Sequence, residues 1–299
     1  MLYFVFVIYI IAVLYFLHFA LYRKNDAKGA EEKDDREDTR DLAVREAEAW
    51  FLENKEEIEM KSVSGHILKG YKIVNPDSKK WFVVVHGYRC NALFMAPYCK
   101  VFYDLGFNIF APDLIAHGNS GGHLIAMGGF DGEDLALWTQ KLAREENPES
   151  IVLFGSSMGA ATVINSLDKG HPAEVKAFIE DSGYLDLNDE FGFVLEYNYK
   201  VPRNFLIPAV SLFSKLIASY YFSEVNAEKA LSETDLPGLV LHGTDDFVVP
   251  TYNSERIFNL INSAKKMHIF EEAEHTQAFY KYPEEYMAVV RDFLRELKQ

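Results

Sequence analysis

The chain has 299 residues, 49% of them hydrophobic, with 45 acidic against 30 basic side chains and a formal net charge of -15. That length suits one α/β domain of ordinary size plus an appendage. A chain so acidic is a poor match for nucleic acid or anionic lipid headgroups as a main partner, and a small neutral ligand suits it better.

Residues Met1 to Tyr22, MLYFVFVIYIIAVLYFLHFALY, carry no charged side chain. A helix of this length rises about 33 Å, enough to cross the hydrocarbon core of a bilayer. This predicts one transmembrane helix at residues 1–22, with the lipid bilayer as its partner. A cleaved signal peptide fits less well, because no basic region precedes the apolar run and no small-x-small site follows it. A buried soluble helix is a weak alternative, since few such helices are apolar on every face. Tyr3, Tyr9, Tyr15 and Tyr22 include candidate interfacial anchors, and His18 reads as a tolerated polar residue. Arg23, Lys24 and Lys28 follow the helix and no basic side chain precedes it, so the positive-inside rule expects a single-pass protein of the cell membrane with its C-terminal part in the cytoplasm.

Residues 23–57 read as a charged linker and a helix. Asn25 to Asp41 is almost devoid of apolar side chains and is expected to be solvated. A helix is expected over Leu42 to Glu57, with Leu42, Ala49, Trp50 and Leu52 as its contacts. The catalytic domain is expected at residues 58–299. It opens with a hairpin, Ile58 to Val63 and His66 to Val74, around Ser64-Gly65. Cys90 and Cys99 form neither a disulfide framework nor a metal-ligand pattern and read as two reduced thiols.

Beyond Pro76 strands alternate with helices. Strands are expected at Trp81 to His86, Phe107 to Ala111, Ile151 to Phe154, Lys176 to Glu180, Gly238 to His242 and Lys266 to Phe270. Helices are expected at Ala92 to Leu105, Asp131 to Arg144, after Ser157, at Thr251 to Ile261 and at Glu284 to Leu297. Such alternation builds a mainly parallel sheet with helices on both faces, and in open sheets of this kind the site lies at the carboxyl ends of the strands.

The stretch Ile151 to Val163, IVLFGSSMGAATV, organises the rest. A serine hydroxyl is a poor nucleophile, so it must stand clear of the backbone, within reach of a base and beside N–H donors for an oxyanion. A sharp strand-to-helix turn does this by straining the serine backbone, which leaves no room for side chains two residues before and after. Gly155 and Gly159 fill those places around Ser157, and Ala160 and Ala161 let the helix lie close to the sheet.

Each remaining motif falls at a strand end. His86-Gly87-Tyr88 closes WFVVVH, and the amides of Tyr88 and Met158 are the expected oxyanion donors. The side chain of His86 reads as structural. Asp113, His117 and Gly118 lie in another strand-end loop, and His117 is assigned a structural role because it precedes Ser157, whereas this architecture places the base last. In LVLHGTDDFVVP either Asp245 or Asp246 could orient an imidazole. Asp246 is the choice from the D-x-x-V-P spacing, with Asp245 solvated or capping and His242 structural. His275, between the last strand and the final helix, is the candidate general base.

Taken together, HGYRCN, APDLIAHGNSGG, GSSMGA, HGTDDFVVP and AEHTQAF resemble the successive motifs of the α/β-hydrolase superfamily, above all membrane-anchored bacterial hydrolases related to monoacylglycerol lipases, lysophospholipases and serine aminopeptidases. The resemblance implies the α/β-hydrolase fold, a Ser157-Asp246-His275 triad and hydrolysis of an ester-like bond. It runs from about Ile58 to the C-terminus and leaves the transmembrane segment outside the catalytic argument. One departure is Ile115-Ala116, where many relatives have Arg-Gly.

Residues 186–223 sit where such folds insert a small cap. The segment is rich in aromatics, which either line an apolar acyl pocket, with Phe205 and Phe213 among the lining residues, or pack a short helical excursion against the core. The reading is a serine esterase acting on a small ester or acyl substrate through an acyl-enzyme, with no metal or organic cofactor called for. The alternatives are a peptidase, amidase or thioesterase on the same triad, a catalytically silent ligand-binding relative, and a membrane-tethered interaction protein.

Overall fold

Short apolar runs bounded by Gly, Pro or Asn build the centre of the molecule. A computed structural model of the chain describes residues 2–23 and 42–297. The strands are β1 (Glu56–Lys61), β2 (Ile67–Ile73), β3 (Lys80–Val85), β4 (Asn108–Pro112), β5 (Ser150–Ser156), β6 (Val175–Asp181), β7 (Gly238–Gly243) and β8 (Lys265–Phe270). They form one sheet in the order β1-β2-β4-β3-β5-β6-β7-β8. The β1–β2 and β2–β4 pairs are antiparallel and the others parallel. This is an α/β-hydrolase fold.

The helices are α1 (Leu2–Leu21), α2 (Leu42–Asn54), α3 (Ala96–Asp104), α4 (Phe130–Glu146), α5 (Met158–Ser166), α6 (Leu187–Tyr199), α7 (Arg203–Ala218), α8 (Glu228–Glu233), α9 (Tyr252–Leu260), α10 (Ala278–Lys281) and α11 (Pro283–Glu296). Strand side chains alternate between two cores. Trp81, Val83 and Val85 of β3 face α4 and α5, whereas Phe82 and Val84 face α2, α3 and α11. Both faces are therefore covered, as parallel strands require.

Several boundaries differ from expectation. The helix expected to reach Glu57 stops at Asn54, and β1 begins at Glu56. Helix α2 docks through Ala47 and Phe51, while Leu42 and Leu52 are exposed. Trp50 does make the expected contact, 5.1 Å from the ring of Tyr103. The charged stretch Asn25 to Asp41, with Lys24, lies outside the described residues.

Helix α1 is long and apolar enough to cross a membrane by length and composition. It does not stand apart from the rest of the chain. Val13, Phe16, Leu17, Ala20 and Leu21 are buried in the core shared with α4 to α7. Their spacing is that of one helix face. Ile11, Leu14 and Tyr15 on the other side are exposed. Phe16 meets Phe191 of α6 edge-on with ring centroids 5.7 Å apart, and the Tyr9 hydroxyl donates to the Phe205 carbonyl at 2.8 Å.

Candidate active site

Ser157 stands at the turn from β5 into α5, with φ +57° and ψ -122°. The flanking glycines are required on steric grounds: a Cβ on Gly155 would lie 2.2 Å from the Gly159 carbonyl oxygen, and one on Gly159 would lie 2.2 Å from that of Val85. The Ser157 amide donates to the Asp181 carbonyl at 2.8 Å, which fixes the turn to β6.

His275 and Asp246 arrive from separate loops. His275 Nε2 lies 2.8 Å from Ser157 Oγ, and Nδ1 lies 2.7 Å from Asp246 Oδ2. With Ser157 donating to Nε2, the imidazole proton sits on Nδ1 and points at the carboxylate. Asp246 is buried, and its Oδ1 accepts the amides of Val248 and Val249 at 2.9 and 2.8 Å. Burial pushes its carboxyl up, but hydrogen bonds from His242 and His275 outweigh that and bring it down to about 2. Asp245 is half-buried and accepts from Thr244 at 3.0 Å.

The loop after β3 passes beside the nucleophile. A Cβ on Gly87 would lie 3.3 Å from Ser157 Cβ. The next amide is that of Tyr88, while the amide of Met158 opens α5. Among the described residues neither amide has a protein acceptor.

His86 and His117 hold backbone. His86 Nδ1 donates to Gly87 O at 2.8 Å and its Nε2 accepts from the Leu114 amide at 3.0 Å. His117 Nδ1 donates to Ile115 O at 2.9 Å and its Nε2 accepts from the Arg89 amide at 3.1 Å. Burial pushes both imidazoles down, to about 4 and about 3. They are neutral and fully engaged. Asp113 ties the loops together by accepting the amides of Ala92 and Asn119, each at 2.8 Å. Ala116 holds the left-handed conformation, φ +61°, that a glycine would adopt freely, so the loop keeps its turn at that position.

Two further residues support the acid: His242, which the sequence marks only as structural, and Glu180, which it does not single out. His242 Nε2 lies 3.1 Å from Asp246 Oδ2 and 2.9 Å from Val249 O, and its Nδ1 meets Ser254 Oγ. Glu180 is buried nearby at the end of β6, where burial pushes its carboxyl up to about 8 despite the adjacent imidazole of His242. Its Oε2 accepts the Gly183 amide at 2.9 Å, while Oε1 has no partner among the described residues. The i, i+4 spacing of His242 and Asp246 was the available signal.

Phe205 is exposed and meets Tyr9 of α1 edge-on at 5.0 Å, where it lines an apolar groove with Tyr3, Val5 and Phe6. Phe213 is half-buried against the core. Helix α6 reaches the acid loop, where Tyr197 stacks on Phe247 at 5.9 Å.

A family model described as serine aminopeptidase, S33, matches residues 76–232, a span that includes Ser157 and stops before Asp246 and His275. YqkD of Bacillus subtilis strain 168 is 27% identical over 234 residues, covering 78% of this chain and 77% of that protein. YfhR of Escherichia coli K12 is 27% identical over 176 residues, covering 59% of this chain and 56% of its own length. Among solved structures, the esterase Pf2001 of Pyrococcus furiosus superposes with a TM-score of 0.65 at 23% identity, covering 81% of this chain and 92% of that one. A membrane phospholipase A superposes with a TM-score of 0.58 at 17% identity, covering 86% and 91%. At these identities the two structures speak to the fold alone.

Proposed function

The chain belongs to the serine aminopeptidase S33 family of α/β-hydrolases, and we propose that it is a serine hydrolase that cleaves a carboxylic ester through an acyl-enzyme on Ser157. The observation that carries this reading is the unbroken hydrogen-bonded line from Ser157 through His275 to the buried Asp246. In this reading His275 Nε2 takes the Ser157 proton as Oγ attacks the acyl carbon. The amides of Tyr88 and Met158 hold the tetrahedral oxyanion. The imidazolium then protonates the departing alcohol, and Asp246 stabilises it without itself taking the proton. Water, deprotonated by His275, attacks the acyl-enzyme and releases the acid.

In this reading esters head the test panel, as substrates of the kind that the fold neighbours' names, an esterase and a phospholipase A, describe, and the family description brings aminoacyl amides onto the same panel. Helix α1 serves as the membrane-attachment element, with the catalytic domain on the cytoplasmic side. Helices α6 and α7 act as the cap. The test is labelling of the full-length protein in detergent with a fluorophosphonate probe. A single adduct on Ser157, lost in Ser157→Ala, is expected, with turnover of esters ahead of aminoacyl amides. Absence of label on folded wild-type protein would overturn the hydrolase reading.

A further inference from the structure

An α-helix leaves its last four carbonyls without intrahelical donors. At the end of α1 the His18 carbonyl takes the Tyr22 amide at 3.1 Å, and the next three are met from outside the helix. Phe19 O accepts from the Arg89 guanidinium at 2.6 Å, and Ala20 O from the Tyr88 hydroxyl at 2.8 Å. Leu21 O accepts from the Ile125 amide at 2.8 Å. Two of these three capping groups come from consecutive residues of the loop that passes beside Ser157.

Within that loop the Cys90 amide donates to Gly87 O at 3.2 Å and the Arg89 amide to His117 Nε2 at 3.1 Å, while the side chains of Tyr88 and Arg89 reach α1. Arg89 carries a left-handed backbone, φ +57°, a conformation that costs a residue with a Cβ about 1–2 kcal/mol. Its guanidinium lies over the rings of Phe19 and Tyr88 at 4.9 and 4.8 Å. A cation there also suits the negative end of the helix dipole. The helix end is pinned from the other side as well. The Arg23 amide donates to His123 O at 2.9 Å, and its guanidinium reaches Ser120 O at 2.7 Å and also Gly118 O.

We propose that the C-terminal turn of α1 is a positioning element of the active site: its carbonyls hold the side chains of Tyr88 and Arg89, and so set the Tyr88 amide in the oxyanion position. The inference rests on the reading of Ser157 given above. Tyr88 and Arg89 act here through their side chains as positioning residues. An apolar helix that looks like a tether is thereby part of the catalytic wall.

The experiment uses the full-length protein in detergent micelles, comparing wild type, Tyr88→Phe, Arg89→Met, the double variant, Arg89→Lys and Tyr9→Phe. The readouts are kcat and KM on a short p-nitrophenyl ester and the second-order rate of fluorophosphonate labelling of Ser157. The double variant should lose about tenfold in kcat and in labelling rate, short of the 10²–10³ that follows outright loss of an oxyanion donor. Its KM should stay within about twofold, because the effect is on the transition state. Arg89→Lys should recover most of the rate, and Tyr9→Phe, which removes only the hydroxyl bond to the Phe205 carbonyl and leaves the C-terminal turn of α1 in place, should match wild type. A labelled wild type with an equally fast double variant, or a loss confined to KM, overturns this inference alone. A wild type that takes no label overturns the reading of Ser157 and this inference with it.

Discussion

His242 and His275 share one oxygen atom. Asp246 Oδ2 lies 2.7 Å from His275 Nδ1 and 3.1 Å from His242 Nε2. The carboxylate is thus held from two sides, and its other oxygen is taken by the amides of Val248 and Val249. Replacing it by Asn should present an amide to the imidazole, favour the wrong tautomer and lower kcat by about 10⁴. Asp245→Asn, on a residue that does not reach His275, should leave kcat near wild type. His242→Ala should cost about tenfold, by analogy with the partners that orient metal ligands. Steady-state kinetics on one ester would decide all three, and an inert Asp246→Asn change beside a damaging Asp245→Asn one would reverse the assignment.

Ala116 carries strain that a glycine would not. Its φ of +61° lies where a Cβ crowds the following carbonyl. Ala116→Gly should raise stability by up to about 1 kcal/mol, the relief of strain being partly offset by the greater entropy of the unfolded chain. Urea unfolding would measure it. A destabilised variant would mean that packing of the buried methyl outweighs the backbone term.

The neutral form of Glu180 is favoured in the folded state, with its carboxyl pushed up to about 8 by burial. Below about pH 4.5 the group is protonated in both states, and between there and about 8 the unfolded chain releases a proton that the folded one keeps. Its contribution to stability is therefore full at acidic pH and lost as pH rises through about 8. Glu180→Gln does not titrate, so its thermal midpoint should gain on wild type between pH 5 and pH 8. A gap that stays constant with pH would mean that Glu180 ionises freely where it lies.

Because Phe205 faces Tyr9 of α1, trimming it should leave acyl-chain preference alone. Phe205→Ala is expected to keep the wild-type ratio of rates on butyryl and dodecanoyl esters. A shifted ratio would restore Phe205 to the substrate pocket.

What could be read from residue order was whatever local sterics impose. Gly155 and Gly159 are demanded by backbone atoms two to three ångströms from where their side chains would start, so the elbow is visible as a short pattern. The D-x-x-V-P spacing points to Asp246 rather than Asp245, and in the fold it is the Asp246 carboxylate that lies 2.7 Å from His275 Nδ1, while Asp245 accepts from Thr244. The docking of α1 was hidden for the opposite reason. Every face of that helix is apolar, so no periodicity marks Val13, Phe16, Leu17, Ala20 and Leu21 as the side that packs. Phe51 was passed over for Leu52 because a short helix with mixed charges offers two nearly equal faces, and Tyr71, 5.9 Å from Phe51, decides between them. The support of Asp246 by His242 depends on where a loop folds back, which only the assembled β7 end reveals.

The contact between α1 and α7 bears on how deep the molecule can sit in lipid. From Tyr9 onward α1 lies against the body of the protein. Short of Tyr9 the helix rises about 10 Å against a hydrocarbon thickness of about 30 Å, and there Tyr3, Val5 and Phe6 line an apolar groove with Tyr9 and Phe205. Sinking the docked half as well would carry α7 along with it, including Arg203, paired with Asp189 and Glu196, and Lys215, paired with Glu224. Charged groups at that depth are expensive. In this docked posture α1 could enter a bilayer only in part, and a full crossing would require its C-terminal turn to leave the loop that carries Tyr88.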